Sequence, residues 1–407
     1  MRSFRSLSFV CSVLLAGLGL LAQDPPPVKD DDEVKKLGPV DPYTEGDAAL
    51  MAAAGVVTYG PFPWADFHST SDIDKALGEG RVLWLETAHF RIGFNLRSID
   101  WPKDSDARKL LAEEVKQLRT KLPKIAPKPK RLDPFLRLHL YAQRCEKAYA
   151  EFQQLIGASD ADFPAKGKGP GEGAFLGQPD KFLVLLFHKK SDMVRYMDRF
   201  CGRKEERSMR YYHLKTFQML SCASAEGLEG FDEAGLHSHV LYCVWHNLMS
   251  GYRGYGFPVP LWFCEGVAHY YSRRVPTTAL SVQIKDDEAV APQEQNNWPV
   301  RVRRRAQHVE YNIPFETLAA MSKWEDCGYH AHTQFWSRID YLMQLDAQKV
   351  GLMLRQLKSV PIANDWDGQG AQIRGMAQKL VVELFEMDGP TFDQRWRDWV
   401  LKTYPKK

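Results

Sequence analysis

The segment Gly235–Tyr271, GLHSHVLYCVWHNLMSGYRGYGFPVPLWFCEGVAHYY, constrains this 407-residue chain more than any other. It reads as two helices joined by a loop rich in glycine and proline, the residues that end helices. The first helix carries His246. The second opens near Pro260 and carries Glu265 and His269, with His246 and Glu265 nineteen positions apart. A lone histidine on an apolar helix face is usually a satisfied core residue, so His246 matters only through what stands near it in the fold.

The nineteen-residue offset and the phrase WFCEGVAHYY resemble the active-site region of the gluzincin metallopeptidases, in particular the peptidase MA-like group. In those enzymes a first helix bears H-E-x-x-H and a second supplies a glutamate about nineteen residues later. Laid on that pattern, Tyr242-Cys243-Val244-Trp245-His246 occupies the motif. The resemblance implies that His246 and Glu265 share one site as metal ligands, vestigial or partial. It also shows Tyr242 where the first zinc histidine belongs and Cys243 where the catalytic glutamate belongs. Two histidines one turn apart bind zinc together, and the glutamate takes a proton from the metal-bound water. A phenol that ionises near pH 10 is a poor ligand near neutrality, and a thiol does not shuttle a proton as a carboxylate does.

Neighbours offer replacements. Cys243 and His246 are three apart and Glu265 and His269 four apart, both usable ligand spacings. A Cys243/His246/Glu265/His269 tetrad is therefore a chemically reasonable zinc set. His239, seven residues before His246, stands about 10 Å away along the helix axis and is too distant. Simpler roles compete: His269 as a hydrogen-bonding group inside the site, and Cys243 as a small buried apolar residue or the partner of Cys264 in a disulfide. A Cys243/His246 nucleophile pair lacks an orienting partner. In the resembled enzymes a Tyr or His from the C-terminal half often stabilises the oxyanion; Tyr329, His330 and His332 are the available candidates, with a plain polar loop the favoured reading of that stretch. No residue is assigned a catalytic role; Cys243 and His332 are the candidates.

Residues 1–22 have the layout of a secretory signal: Arg2 and Arg5, an apolar run from Phe9 to Leu21, and the small Ala22 before a polar stretch. The run is too short for a membrane span, which needs roughly twenty residues. Cleavage near Ala22 predicts a secreted, periplasmic or cell-surface protein with no integral membrane span in the mature chain. Six cysteines then remain, an even number that permits disulfides in an oxidising compartment. Net charge is +3 with both leader arginines counted, and no concentrated basic face points to nucleic acid. The arginine-dense Arg301–Arg305 reads as a solvated loop.

Along the chain, residues 23–68 form a Pro- and charge-rich arm, with the globular part starting near Ser69. Residues 69–230 form an α/β N-terminal part, and residues 231–407 a helical part carrying the degenerate motif. VLWLE and HFRIGFN read as strands. KFLVLLFH (181–188), apolar on both faces, reads as a central strand, and Tyr211–Ala223 as a strand pair. Helices are expected at Asp104–Leu122, at Pro134–Ile156 with Gly157 closing it, and after Ser191 as cap. Later helices are expected over Phe315–Met321, Thr333–Leu345, Val350–Leu357, Met376–Phe385 and Thr391–Thr403. The stretches ETAHFRIGFNL, QFWSRIDYLM and F-D-x-x-W-R-x-W add to the resemblance, which spans roughly residues 81–403.

The expected fold is α+β and metallopeptidase-like, with a small mixed sheet in the N-terminal part, a mainly helical C-terminal part and a cleft between. Two functions follow. The favoured one is a catalytically inactive pseudopeptidase, without zinc, that binds a peptide or protein partner in the old cleft. The other is an active zinc hydrolase using the rebuilt tetrad. A structural cell-surface protein is a third class, for which His246→Ala would be harmless.

Overall fold

A computed structural model describes residue 38 and residues 40–228, 232–255, 259–280, 297–360 and 366–406. The expected leader and the cleavage expected near Ala22 lie outside the described residues. One mixed sheet contains β1 (Leu83–Glu86), β2 (Phe90–Asn95), β3 (Phe182–Phe187), β4 (Met209–His213) and β5 (Gln218–Ser224), in the order β1-β2-β3-β5-β4. The outer pairs β1/β2 and β4/β5 are antiparallel, while β3 runs parallel to both its neighbours. An apolar strand must be covered on both faces, and β3 occupies the middle of the sheet as its sequence predicts. Phe182, Val184 and Leu186 point into the larger core, and Leu183, Leu185 and Phe187 into a second core on the other face.

The helices of the N-terminal half are α1 (Ala48–Ala54), α2 (Thr70–Leu77), α3 (Ser105–Lys121), α4 (Pro134–Ile156) and α5 (Lys190–Cys201). The second core lies under α2, α5 and the Phe62–Ala65 segment. The start of α4 is fixed by Asp133, whose side chain accepts from the Leu136 N–H. Its end is fixed by Gly157 at φ 60°, a left-handed conformation that glycine adopts freely. Ser191 is not the cap of α5. The helix starts at Lys190, whose N–H donates to Glu226 Oε2 at 3.0 Å, so a residue far along the chain replaces a local cap.

The segment expected to be an arm up to residue 68 belongs to the packed body from Asp41 onward. Asp41 and Thr44 are buried, and the Asp41 carboxylate accepts from Thr44 (2.7 Å) and Tyr59 (2.5 Å) and faces His139 Nε2 at 2.9 Å. Trp64 is buried too and donates to the Tyr196 hydroxyl. A polar composition here hides a buried, satisfied network. Burial opposes ionisation of Asp41, but His139, Tyr59 and Thr44 prevail and pull its carboxyl down to about 2. Its stabilisation is thus complete above the unfolded value near 4 and is lost as pH falls toward 2. Asp41→Asn is expected to flatten the stability–pH curve below pH 4; an unaltered curve in that window would contradict this.

The C-terminal half holds α6 (Glu233–Gly251), α7 (Leu261–Ser272), α8 (Trp298–Ala306), α9 (Phe315–Ala320), α10 (Tyr329–Leu357), α11 (Trp366–Phe385) and α12 (Gly389–Thr403). The chain is α+β, with the sheet in its N-terminal half and a mainly helical C-terminal half. Both halves contribute to the larger core, which joins β2 and β3 to α4, α6, α7 and α10. Two predicted helices merge in α10 across a break at Asp346 (φ −167°, ψ 101°). The arginine-dense stretch is helix α8 and not a loop. Arg303 in it is buried and donates to the carbonyls of Val400, Leu401 and Tyr404 at the end of α12, satisfying groups a helix terminus leaves unpaired. Among the described residues, no helix is long and apolar enough to cross a membrane.

Candidate functional site

Helix α6 is buried along almost its whole length, as expected of a helix apolar on every side. Asp232 caps it by accepting from the Gly235 N–H at 2.9 Å. Asn247 Nδ2 donates to Ser221 Oγ (2.8 Å) and so fixes α6 on β5. Ser238 Oγ donates to the Ser272 carbonyl, and the Trp245 and Tyr271 rings stack at 3.3 Å, which sets α6 against α7. On its other side α7 lies hard against α10. A β-carbon on Gly266 would fall 2.4 Å from Ile339 Cγ1 and 2.6 Å from the Phe335 carbonyl oxygen. Gly266→Ala is therefore expected to cost about 1–3 kcal/mol by overpacking and to push Glu265 away from α10. Chemical denaturation would measure this, and an unchanged stability would contradict the contact.

These contacts bring five polar side chains around Glu265. His246 Nε2 lies 3.1 Å from Glu265 Oε1 without the alignment of a hydrogen bond. The Tyr242 hydroxyl donates to Glu265 Oε2 at 2.8 Å. His269 Nε2 is 3.7 Å and His332 Nδ1 3.4 Å from that same oxygen, and the two imidazoles face each other at 3.1 Å. Cys264 also lies within ligand range of His246 and Glu265. Apart from Cys264, which is half-buried, every one of these residues is buried. The described residues thus contain two groups able to hold a metal ion: His246/Cys264/Glu265 and Glu265/His269/His332.

Electrostatics follow from that burial. Loss of solvent pushes His269 well below the usual histidine range, with the neighbouring His332 adding to the effect. It lowers His246 too, helped by Arg210. Burial alone would raise Glu265, but His246 and then His332 beside it hold its carboxyl well below the usual range. The centre is one buried carboxylate beside two imidazoles, His246 and His269, that burial disfavours from charging. Tyr242 moves the other way: burial and the Glu265 charge hold its phenol protonated.

Cys243 does not point into either ligand group. Its Sγ lies 3.6 Å from His239 Nε2, one turn back on α6, and burial pushes the thiol up to about 12. His239, set aside as too far from His246, serves Cys243 instead. The six described cysteines are free thiols, so neither a Cys243–Cys264 bridge nor any other disulfide links them. His332 sits against Glu265 rather than across an open site from it. Tyr329 packs against Trp298, 6.1 Å between ring centroids, and His330 is half-buried.

Sequence reasoning did not name Cys264 as a ligand, and it named His332 as a catalytic candidate without placing it beside His269. Cys264 had one available signal, its adjacency to Glu265. His332 as a companion of His269 had none, because sixty-three positions separate them.

A pocket of about 110 Å³ opens between the halves of the chain. Glu114, Arg144 and Lys147 line it from α3 and α4, and Trp245, Tyr271 and Arg274 from the α6–α7 side.

A scan against protein-family models gives no match, and a search of curated proteins finds none similar in sequence.

Proposed function

We propose that this chain is an exported, gluzincin-like protein without peptidase chemistry, which acts by binding a peptide or protein partner. The observation that carries the reading is the Tyr242 hydroxyl, donated to Glu265 where a gluzincin would present its first metal ligand. A phenol held protonated by burial and by a neighbouring carboxylate does not ligate zinc. The proton-accepting position fails as well. Cys243 is a protonated thiol turned to His239, so it neither takes a proton from water nor joins the Cys243/His246/Glu265/His269 tetrad as a thiolate.

The pocket between the halves supports the binding half of the reading. About 110 Å³ admits one side chain, and the wall combines the Trp245–Tyr271 stack with charges of both signs at its rim. Arg274 leans over the Tyr271 ring at 4.3 Å and is partly exposed, which makes it the natural contact for an acidic or aromatic partner side chain. Export is supported by the residue pattern of the first 22 positions.

A displayed random-peptide pool tests the proposal. The full chain should retain a subset of peptides, and Arg274→Glu should weaken their binding by about tenfold or more, the loss of a cation–π or ionic contact worth roughly 1–2 kcal/mol. Failure to retain any peptide, or retention indifferent to Arg274→Glu, would overturn it.

A further inference from the structure

The Glu265 carboxylate is the corner of a triangle of donor atoms that the binding reading does not use. Its sides are 3.1 Å (His269 Nε2 to His332 Nδ1), 3.4 Å (His332 Nδ1 to Glu265 Oε2) and 3.7 Å (Glu265 Oε2 to His269 Nε2). Two donors each about 2.1 Å from a tetrahedral ion lie about 3.4 Å apart, and the three sides straddle that distance. A hydrogen-bond account explains only one side. A single proton shared between the imidazoles satisfies their 3.1 Å contact, while both rings remain too far from Glu265 Oε2 for strong bonds to it. An ion between the three accounts for all of them.

The chemistry of the donors agrees. An imidazole pair with one carboxylate suits zinc-class divalent ions. The Glu265 carboxylate is buried beyond the reach of solvent, and a buried charge requires a partner of opposite sign. Its polar contacts among the described residues are the Tyr242 phenol and the imidazoles of His246, His269 and His332. A cation at the triangle would pair directly with that carboxylate.

We infer that Glu265, His269 and His332 bind a divalent ion of the zinc class. The inference is independent of partner binding. It assigns the ion no hydrolytic step, because the triangle lacks a carboxylate placed to take a proton.

The experiment uses the full chain, stripped with chelator and reloaded with zinc or cobalt(II). Elemental analysis should find about one ion per chain, with affinity falling about a hundredfold in His332→Gln and in His269→Gln and staying within about twofold in His246→Gln. Since a histidine variant in a core can fail to fold, the cobalt spectrum of the wild-type chain is the second readout. Visible bands of a tetrahedral N/O site without a thiolate charge-transfer band support the assignment. A thiolate band, which would place the ion at Cys264, overturns it. So does the absence of stoichiometric metal, or loss of metal in His246→Gln with retention in His332→Gln.

Discussion

Replacing Glu233 by alanine is expected to destabilise the chain by about 3–5 kcal/mol, the cost of breaking a buried ion pair from one side. Glu233 lies in the first turn of α6 and is buried with both its partners. Arg137 Nη2 donates to its Oε2 at 2.6 Å and Arg144 Nη1 to its Oε1 at 2.8 Å, while Arg144 continues to Glu114 at 2.7 Å. Burial opposes the charge on Glu233, but the two guanidiniums outweigh it and hold the carboxyl below its ordinary range. Its folded pKa is depressed, so its stabilisation is present above the unfolded carboxylate value and is lost as pH falls below it. Without the carboxylate, Arg137 is left with the Arg97 carbonyl and the face of the Phe94 ring among the described residues, and the N-terminus of α6 loses its fixed position. Urea unfolding at neutral pH measures the effect. A loss under about 1 kcal/mol would show that the pair is solvated and does not hold the site helix.

Glu265→Ala is the second large effect, with an expected loss of about 3 kcal/mol or more. A hydrogen bond to a charged group contributes about 1.5–3 kcal/mol, and the Tyr242 hydroxyl that makes it would be left buried without its acceptor. Removing the side chain also opens a cavity between α7 and α10, at the point where Gly266 brings them closest. Tyr242→Phe removes the hydrogen bond but no volume, so it should cost about half as much, near 1.5 kcal/mol. Equal losses in the two variants would contradict the central place given to Glu265.

What could be read in the sequence was local or periodic. KFLVLLFH has no polar face and lies between β2 and β5, and Pro134–Ile156 carries its own start and stop signals in Asp133 and Gly157. Segments whose order depends on distant partners were misread. The Asp41 network needs His139, the start of α5 needs Glu226, and Arg303 in α8 needs the carbonyls at the end of α12. Charge along the sequence there signals solvent, and the tertiary structure turns it into burial. The site divides in the same way. The offset between His246 and Glu265 put those two residues forward, and they lie 3.1 Å apart. The approach of His332 to His269 depends on how α10 packs on α7, which no spacing encodes.

The proposed loss of peptidase chemistry rests on Tyr242 and Cys243 in the places of a metal ligand and a proton acceptor. Its most direct test is mass spectrometry of a proteome-derived peptide library incubated with the wild-type chain at neutral pH in the presence of zinc. No new peptide termini are expected. New termini that vanish when a chelator is added would contradict it, because they would require a group that takes the proton of a metal-bound water, and the protonated Cys243 thiol stands where that carboxylate would be.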